Sequence, residues 1–174
     1  IALYRRHEIL GELSPDGSSL AEAAQALGRR PAPPNHYSQS WIDIALGTAL
    51  WSQGKSDQAL PLLNRGLLVG NQFDHPLTAW GLIVLGRIAL NSDQAAAAAK
   101  LFEEATYSAA DYGDARALEE AFALAFTAHA VAGSRDVPPS IRVGAEWARN
   151  NLPTLRARLL AMQAECLANA GHVR

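Results

Sequence analysis

Residues 39 positions apart in this sequence resemble one another, and the similarity extends over four segments of the chain. The recurring positions are Leu46-Gly47, Leu85-Gly86 and Leu124-Ala125 in one half of the interval, and Ala59/Leu63, Ala98/Phe102 and Val137/Ile141 in the other half. A fixed interval of this kind is the signature of a repeat architecture, in which each unit packs mainly on its neighbours. We therefore expect an array of similar units.

Composition indicates that each unit is helical. The chain contains 34 alanines among its 174 residues, and it is also rich in Leu, Glu, Gln and Arg. These residues lose little conformational entropy in a helix. No stretch alternates β-branched with polar residues as a half-buried strand does, and clusters of Gly, Pro and Asn separate segments of helical length. Each unit is predicted to be a pair of helices.

The spacing within one unit resembles that of a known repeat family. Its residues are Asp43-x-x-Leu46-Gly47-x-x-Leu50 in the first helix, and Ala59-x-x-x-Leu63-x-x-Gly66 in the second. The pattern is similar to that of the tetratricopeptide repeat (TPR), W-x-x-L-G-x-x-Y followed by A-x-x-x-F. In this pattern the Gly or Ala after the Leu lets the second helix approach, and a bulky apolar residue of that helix fills the remaining space.

Two departures from the TPR pattern bear on the assignment. Asp43 stands where the family has its Trp, and the interval of 39 residues exceeds the standard one of roughly 34. HEAT and armadillo units have intervals of about 40 to 47 residues. We predict a long-repeat variant of the TPR, similar to the long repeats of large bacterial ATP-dependent regulators, with HEAT-like stacking as the alternative.

The resemblance implies an all-α fold, a right-handed superhelix of stacked antiparallel helical hairpins. The predicted units of this continuous array are a degenerate N-terminal hairpin or cap at 1–38, repeats at 39–77, 78–116 and 117–154, and a final helix at 155–174 that is a cap or a truncated repeat. In the first unit, Leu20, Ala24 and Leu27 take the positions of the second helix, and Ser19-x-x-Glu22 is a capping box that begins it. We expect the array to be part of a larger cytoplasmic protein of bacterial origin.

In such a superhelix, the first helix of each hairpin turns a second face towards the concave groove. By spacing, the predicted partner-binding residues on this face are Trp41, Ile44, Thr48, Trp51, Trp80, Ile83, Arg87, Glu119, Phe122, Phe126 and His129. The face continues through Leu90 and, in the last helix, through Arg158, Ala161, Glu165 and Ala168. The face is mainly apolar, whereas a surface helix is ordinarily polar on the side away from its core. We predict that the groove binds a peptide or a partner helix, with Arg87, Glu119 and His129 fixing its direction. For Trp51 and Phe122, burial in the hairpin core is an equally good interpretation.

Charge and residue chemistry argue against other classes of function. The formal net charge of −2 gives no basic excess for binding nucleic acid or a membrane surface. The five His are scattered, and the single Cys, Cys166, has no partner at a ligand or nucleophile spacing, so no metal, cofactor or catalytic site is predicted. The predicted function is a non-catalytic protein–protein or peptide interaction scaffold, whose partner is a protein segment or a second copy in a homodimer. The alternative is a regulatory ligand-sensing or peptide-sensing arm of a larger signalling or transcriptional regulator.

Overall fold

The computed structural model describes residues 37–70, 75–133 and 140–169, together with Glu22, Ala26 and Arg29. The helices in these ranges are α1 (Tyr37–Ser52), α2 (Ser56–Gly70), α3 (Thr78–Asn91), α4 (Ala95–Asp111), α5 (Ala115–Val131), α6 (Ser140–Asn151) and α7 (Pro153–Asn169). The described ranges contain no strand, which confirms the predicted all-α class for them. The right-handed superhelical form stays a prediction, and most of the N-terminal hairpin predicted at 1–38 lies outside the described residues.

The chain divides into two compact units, residues 1–84 and 85–174, and the division falls within α3. In the first unit, α1 and α2 pack along their lengths. Ser40 Oγ donates a hydrogen bond to the Gly66 carbonyl over 2.6 Å, which shows that the start of α1 lies beside the end of α2. The two helices are therefore antiparallel. In the second unit, α4 packs on α5 and α6, and α7 contacts both α5 and α6.

A glycine brings two helices together at the same place in each unit. A Cβ atom added to Gly47 of α1 would lie 2.7 Å from Leu63 Cγ of α2. A Cβ atom added to Gly86 of α3 would lie 2.7 Å from Phe102 Cδ1 of α4, and Cε1 of the same ring would be nearer still. Both Leu63 and Phe102 are fully buried. These distances leave no room for a methyl group, so the predicted close approach is confirmed at both glycines.

The turns between helices use residues in the left-handed region of backbone conformation. Gly54, between α1 and α2, has a φ of 75°, and Asp93, one interval later between α3 and α4, has a φ of 59°. Glycine adopts this conformation without the steric cost that a Cβ atom brings, and Asp tolerates it better than most residues. The two turns therefore have similar backbones although their residues differ.

We predict that Gly86→Ala lowers the free energy of unfolding by about 1–3 kcal/mol, as overpacking of a core does. The new methyl group would overlap the buried Phe102 ring. This loss is expected even though Ala is favoured over Gly in a helix by about 1 kcal/mol. Urea unfolding followed by circular dichroism measures the change.

A double-mutant cycle provides the control. The predicted repeat at 117–154 has Ala125 and Ile141 at the positions that correspond to Gly86 and Phe102. Gly86→Ala should therefore destabilise the chain less in a Phe102→Ile background than in the wild type. A Gly86→Ala variant as stable as the wild type would contradict the close packing.

Candidate interaction surface

Six of the eleven predicted groove residues are buried within the chain itself. They are Ile44, Thr48, Trp80, Ile83, Phe122 and Phe126. Buried side chains do not provide an open surface for a partner, so the predicted apolar groove is corrected at these positions. Trp41, Trp51, Arg87, Glu119 and His129 keep partial exposure.

The buried residues face the core because small residues on the next helix admit them. A Cβ atom on Gly66 of α2 would lie 2.9 Å from Ile44 Cγ1, and one on Gly144 of α6 would lie 3.3 Å from Phe122 Cδ2. The Phe122 ring also packs on the Phe126 ring, with centroids 5.1 Å apart. Positions 44 and 122 thus belong to a second core-facing stripe of their helices. For Phe122, burial in the core is the correct interpretation.

Trp41 lies beside a buried polar junction in the first unit. Its ring centroid is 5.5 Å from that of His75. His75 Nε2 is 2.6 Å from Ser40 Oγ, and the Leu77 N–H donates to His75 Nδ1 over 3.2 Å. A close Ser–His pair is also the arrangement of a nucleophile and its base. Ser40 and His75 are both fully buried, and the Ser40 hydroxyl donates to the Gly66 carbonyl, so this pair holds the start of α1 in place.

The charged residues predicted to orient a partner are engaged by side chains of the second unit. The pairs are Arg87–Glu120 at 2.6 Å, His129–Glu103 at 2.9 Å, and Glu119–Arg158. Glu120 reaches α3 and its neighbour Glu119 reaches α7. Ion pairs therefore join helix α5 to α3 and to α7.

A cleft of about 370 Å³ lies where α5 and α7 begin. Its lining residues are Ala115, Arg116, Glu119, Leu152, Thr154, Leu155 and Arg158. Helix α5 begins at this cleft because the Asp114 carboxylate caps it, accepting a hydrogen bond from the Ala117 N–H over 3.2 Å. The lining holds two guanidinium groups and one carboxylate. It therefore has an excess of positive charge beside the partly exposed Leu152.

Of the cleft residues, Glu119 is one of the eleven predicted partner-binding residues. Arg158 lies on the continuation of the same predicted face, one 39-residue interval after Glu119. Arg116 and Thr154 lie in the first turns of their helices, and the groove spacing does not include them. Arg116 and Thr154 line the same cleft because α5 and α7 pack side by side, and the spacing within one helix does not predict this packing.

Residues 38–109 match the family model of the tetratricopeptide repeat. This match supports a TPR-type repeat. The matched range spans α1 to α4 and contains both glycine contacts, whereas the cleft follows the TPR match in sequence. No curated protein matches this chain.

Two further absences apply to the described residues. No group of three or more His, Cys, Asp or Glu side chains among them could hold a metal ion. None of the helices described has both the length and the apolar character needed to cross a membrane.

The burial of Trp80 leads to a prediction that distinguishes core from groove. Only 5% of Trp80 is exposed, so Trp80→Ala should lower the free energy of unfolding by about 3–5 kcal/mol, through lost burial and a cavity. Trp41→Ala should cause a smaller loss, because Trp41 is only half-buried. Urea unfolding of the two variants measures the difference. Unchanged stability of Trp80→Ala would mean that the indole is available to a partner.

Proposed function

We propose that this chain is a non-catalytic module of TPR-type hairpins that binds a protein segment or peptide. The match of residues 38–109 to the TPR family is the observation that carries the proposal, because repeats of this family typically serve as interaction modules. The hairpin units are proposed to repeat every 39 residues, with boundaries at 39–77, 78–116 and 117–154. The Gly47–Leu63 and Gly86–Phe102 contacts, which stand one interval apart, support that proposal.

We place the partner at the cleft between the starts of α5 and α7. The volume of about 370 Å³ is within the range of about 300–1,000 Å³ that is typical of binding pockets. The buried residues of the predicted groove offer no comparable surface. The cleft contains charged side chains, which can orient a bound peptide, and an apolar side chain, which can pack against it.

The charges of the cleft favour an acidic ligand. The Arg158 side chain is 69% exposed, so its ion pair with Glu119 is largely solvated. Exposed pairs of this kind contribute at most about 1 kcal/mol, so Arg158 can turn to a carboxylate of a partner at little cost. A guanidinium binds a carboxylate through two parallel hydrogen bonds. The expected ligand is a peptide in which an acidic side chain or the terminal carboxylate stands next to an apolar residue.

Selection of a displayed library of random peptides on the purified chain tests this function. We expect the enriched peptides to contain Asp, Glu or a free terminal carboxylate beside an apolar residue. Fluorescence anisotropy then gives their Kd values for the variants. Arg158→Ala should weaken binding at least about tenfold, the loss expected for one charge-assisted hydrogen-bonded contact. Glu119→Gln should tighten binding, because it removes the negative charge of a carboxylate that lines the cleft.

Arg156→Ala is the matched control, because Arg156 is exposed on α7 and does not line the cleft. Its Kd should stay within about twofold of the wild type. Failure to enrich any peptide would count against the interaction function. If peptides are enriched but their binding is unchanged by Arg158→Ala and Glu119→Gln, the chain binds peptides at a site other than the cleft.

A further inference from the structure

His75 connects three helices of the first unit at one buried point. Its ring nitrogen Nε2 lies 2.6 Å from Ser40 Oγ near the start of α1, and Ser40 Oγ lies 2.6 Å from the Gly66 carbonyl oxygen near the end of α2. The third helix, α3, begins at Thr78, just after His75. Ser40 and His75 are both fully buried. An unmatched donor or acceptor is costly where water cannot replace its partner, so the positions of the protons decide whether this junction is stable.

The hydrogen bonds assign the protons of the His75 ring. A carbonyl oxygen can only accept, so the Ser40 hydroxyl donates its proton to Gly66, and His75 Nε2 must donate to Ser40 Oγ. The Leu77 N–H donates to His75 Nδ1 over 3.2 Å, so Nδ1 holds no proton of its own. The ring is therefore neutral, with its single proton on Nε2.

The same ring also caps the start of α3. The first N–H groups of a helix have no partner within the helix, and a side-chain acceptor just before it satisfies one of them. His75 Nδ1 does this for the Leu77 N–H, and the His75 N–H donates in return to Thr78 Oγ1 over 3.3 Å. The N-terminal end of a helix carries a partial positive charge, which disfavours a cation beside it. A proton on Nδ1 would therefore remove the acceptor and place a positive charge where the helix repels it.

The charged residues beside this junction pair with other groups. Asp43 of α1 lies one turn after Ser40, and it pairs with Arg65 of α2 over 2.6 Å. This pair brings no net charge to the junction. The first charged residue of α3 is Arg87, which lies more than two turns beyond Thr78. A protonated ring would therefore gain little from these three charges.

We propose that the His75 junction, formed by Ser40, Gly66, His75 and Leu77, is a pH-sensitive switch of the first unit. It holds α1, α2 and α3 together while the ring is neutral, and it opens when Nδ1 takes up a proton. Free histidine side chains become protonated at about pH 6.5, so the junction responds to mild acid. This inference goes beyond the proposed function, since it involves neither the cleft nor its ligand.

Urea unfolding of the full chain, followed by circular dichroism at about pH 7.5 and about pH 5.5, tests the switch. Over this range the His75 ring takes up a proton in the unfolded chain but not in the folded one, so stability falls as the pH falls. Full exclusion of the proton from the folded ring raises the equilibrium constant of unfolding by about tenfold. His75→Asn keeps an acceptor that can cap α3 but does not titrate, so its equilibrium constant should rise about tenfold less than that of the wild type.

His129→Asn and Asp74→Asn are the matched controls. His129 is a partly exposed histidine of the second unit, and Asp74 precedes His75 in the sequence. Neither variant should reduce the acid response of the wild type by more than about twofold. The same acid response in the wild type and in His75→Asn would overturn the switch. An acid response that disappears in Asp74→Asn would also overturn it, because a carboxylate would then be the responding group.

NMR of the wild-type chain with isotope-labelled histidine decides the case if His75→Asn does not fold. The ring nitrogens of His75 give different signals with and without a proton. At neutral pH we expect a proton on Nε2 and none on Nδ1. At about pH 6 the ring should still be neutral in the folded chain and largely protonated in the chain unfolded by urea. A proton on Nδ1 at neutral pH, or the same titration in both states, would contradict the proposal.

Discussion

The close approach of paired helices at glycine determines which side chains of this chain are buried and which remain exposed to a partner. Because Gly47 has no side chain, Leu63 of α2 can lie directly against the backbone of α1, and Phe102 does the same at Gly86. Two helices at this distance bring their neighbouring stripes into contact as well. Ile44 therefore reaches Gly66 and becomes fully buried. One missing methyl group thus moves residues from the candidate groove into the core.

The first hairpin adds a polar contact to this apolar packing. Asp43 is almost completely buried, at the position where the TPR pattern has Trp. Its carboxylate accepts hydrogen bonds from Arg65 over 2.6 and 2.7 Å and from Gln39 over 2.9 Å. The hydrogen bond to Asp43 raises the pKa of the Arg65 guanidinium, while burial acts in the opposite direction. A buried carboxylate without such a partner would be strongly destabilising. The pair therefore joins α1 and α2 at a position where α3 and α5 have Leu82 and Ala121.

Features that depend on spacing within one hairpin could be predicted from the sequence. The helical class and the approach of Leu63 and Phe102 to the two glycines follow from the pattern alone. The groove could not be predicted in the same way, because apolar residues three or four positions apart fit both a groove-facing and a core-facing stripe. Gly66 and Gly144 decide between the two, since they admit Ile44 and Phe122. The Arg87–Glu120 pair joins residues 33 positions apart on different helices, so helical spacing gives no signal for it.

Apolar burial and ion pairing give this chain two physically different kinds of contact. The burial of apolar side chains such as Ile44 and Phe102 gives a free energy roughly proportional to the area removed from water, which suits permanent contacts within one chain. At the cleft, Arg158 is largely exposed and pairs with a carboxylate that a ligand can replace. Salt screens such charges over about 8 Å at physiological ionic strength. They therefore orient a ligand and let it exchange, and they add little to its affinity. A module that must release its partner is therefore better served by a charged cleft than by an apolar contact.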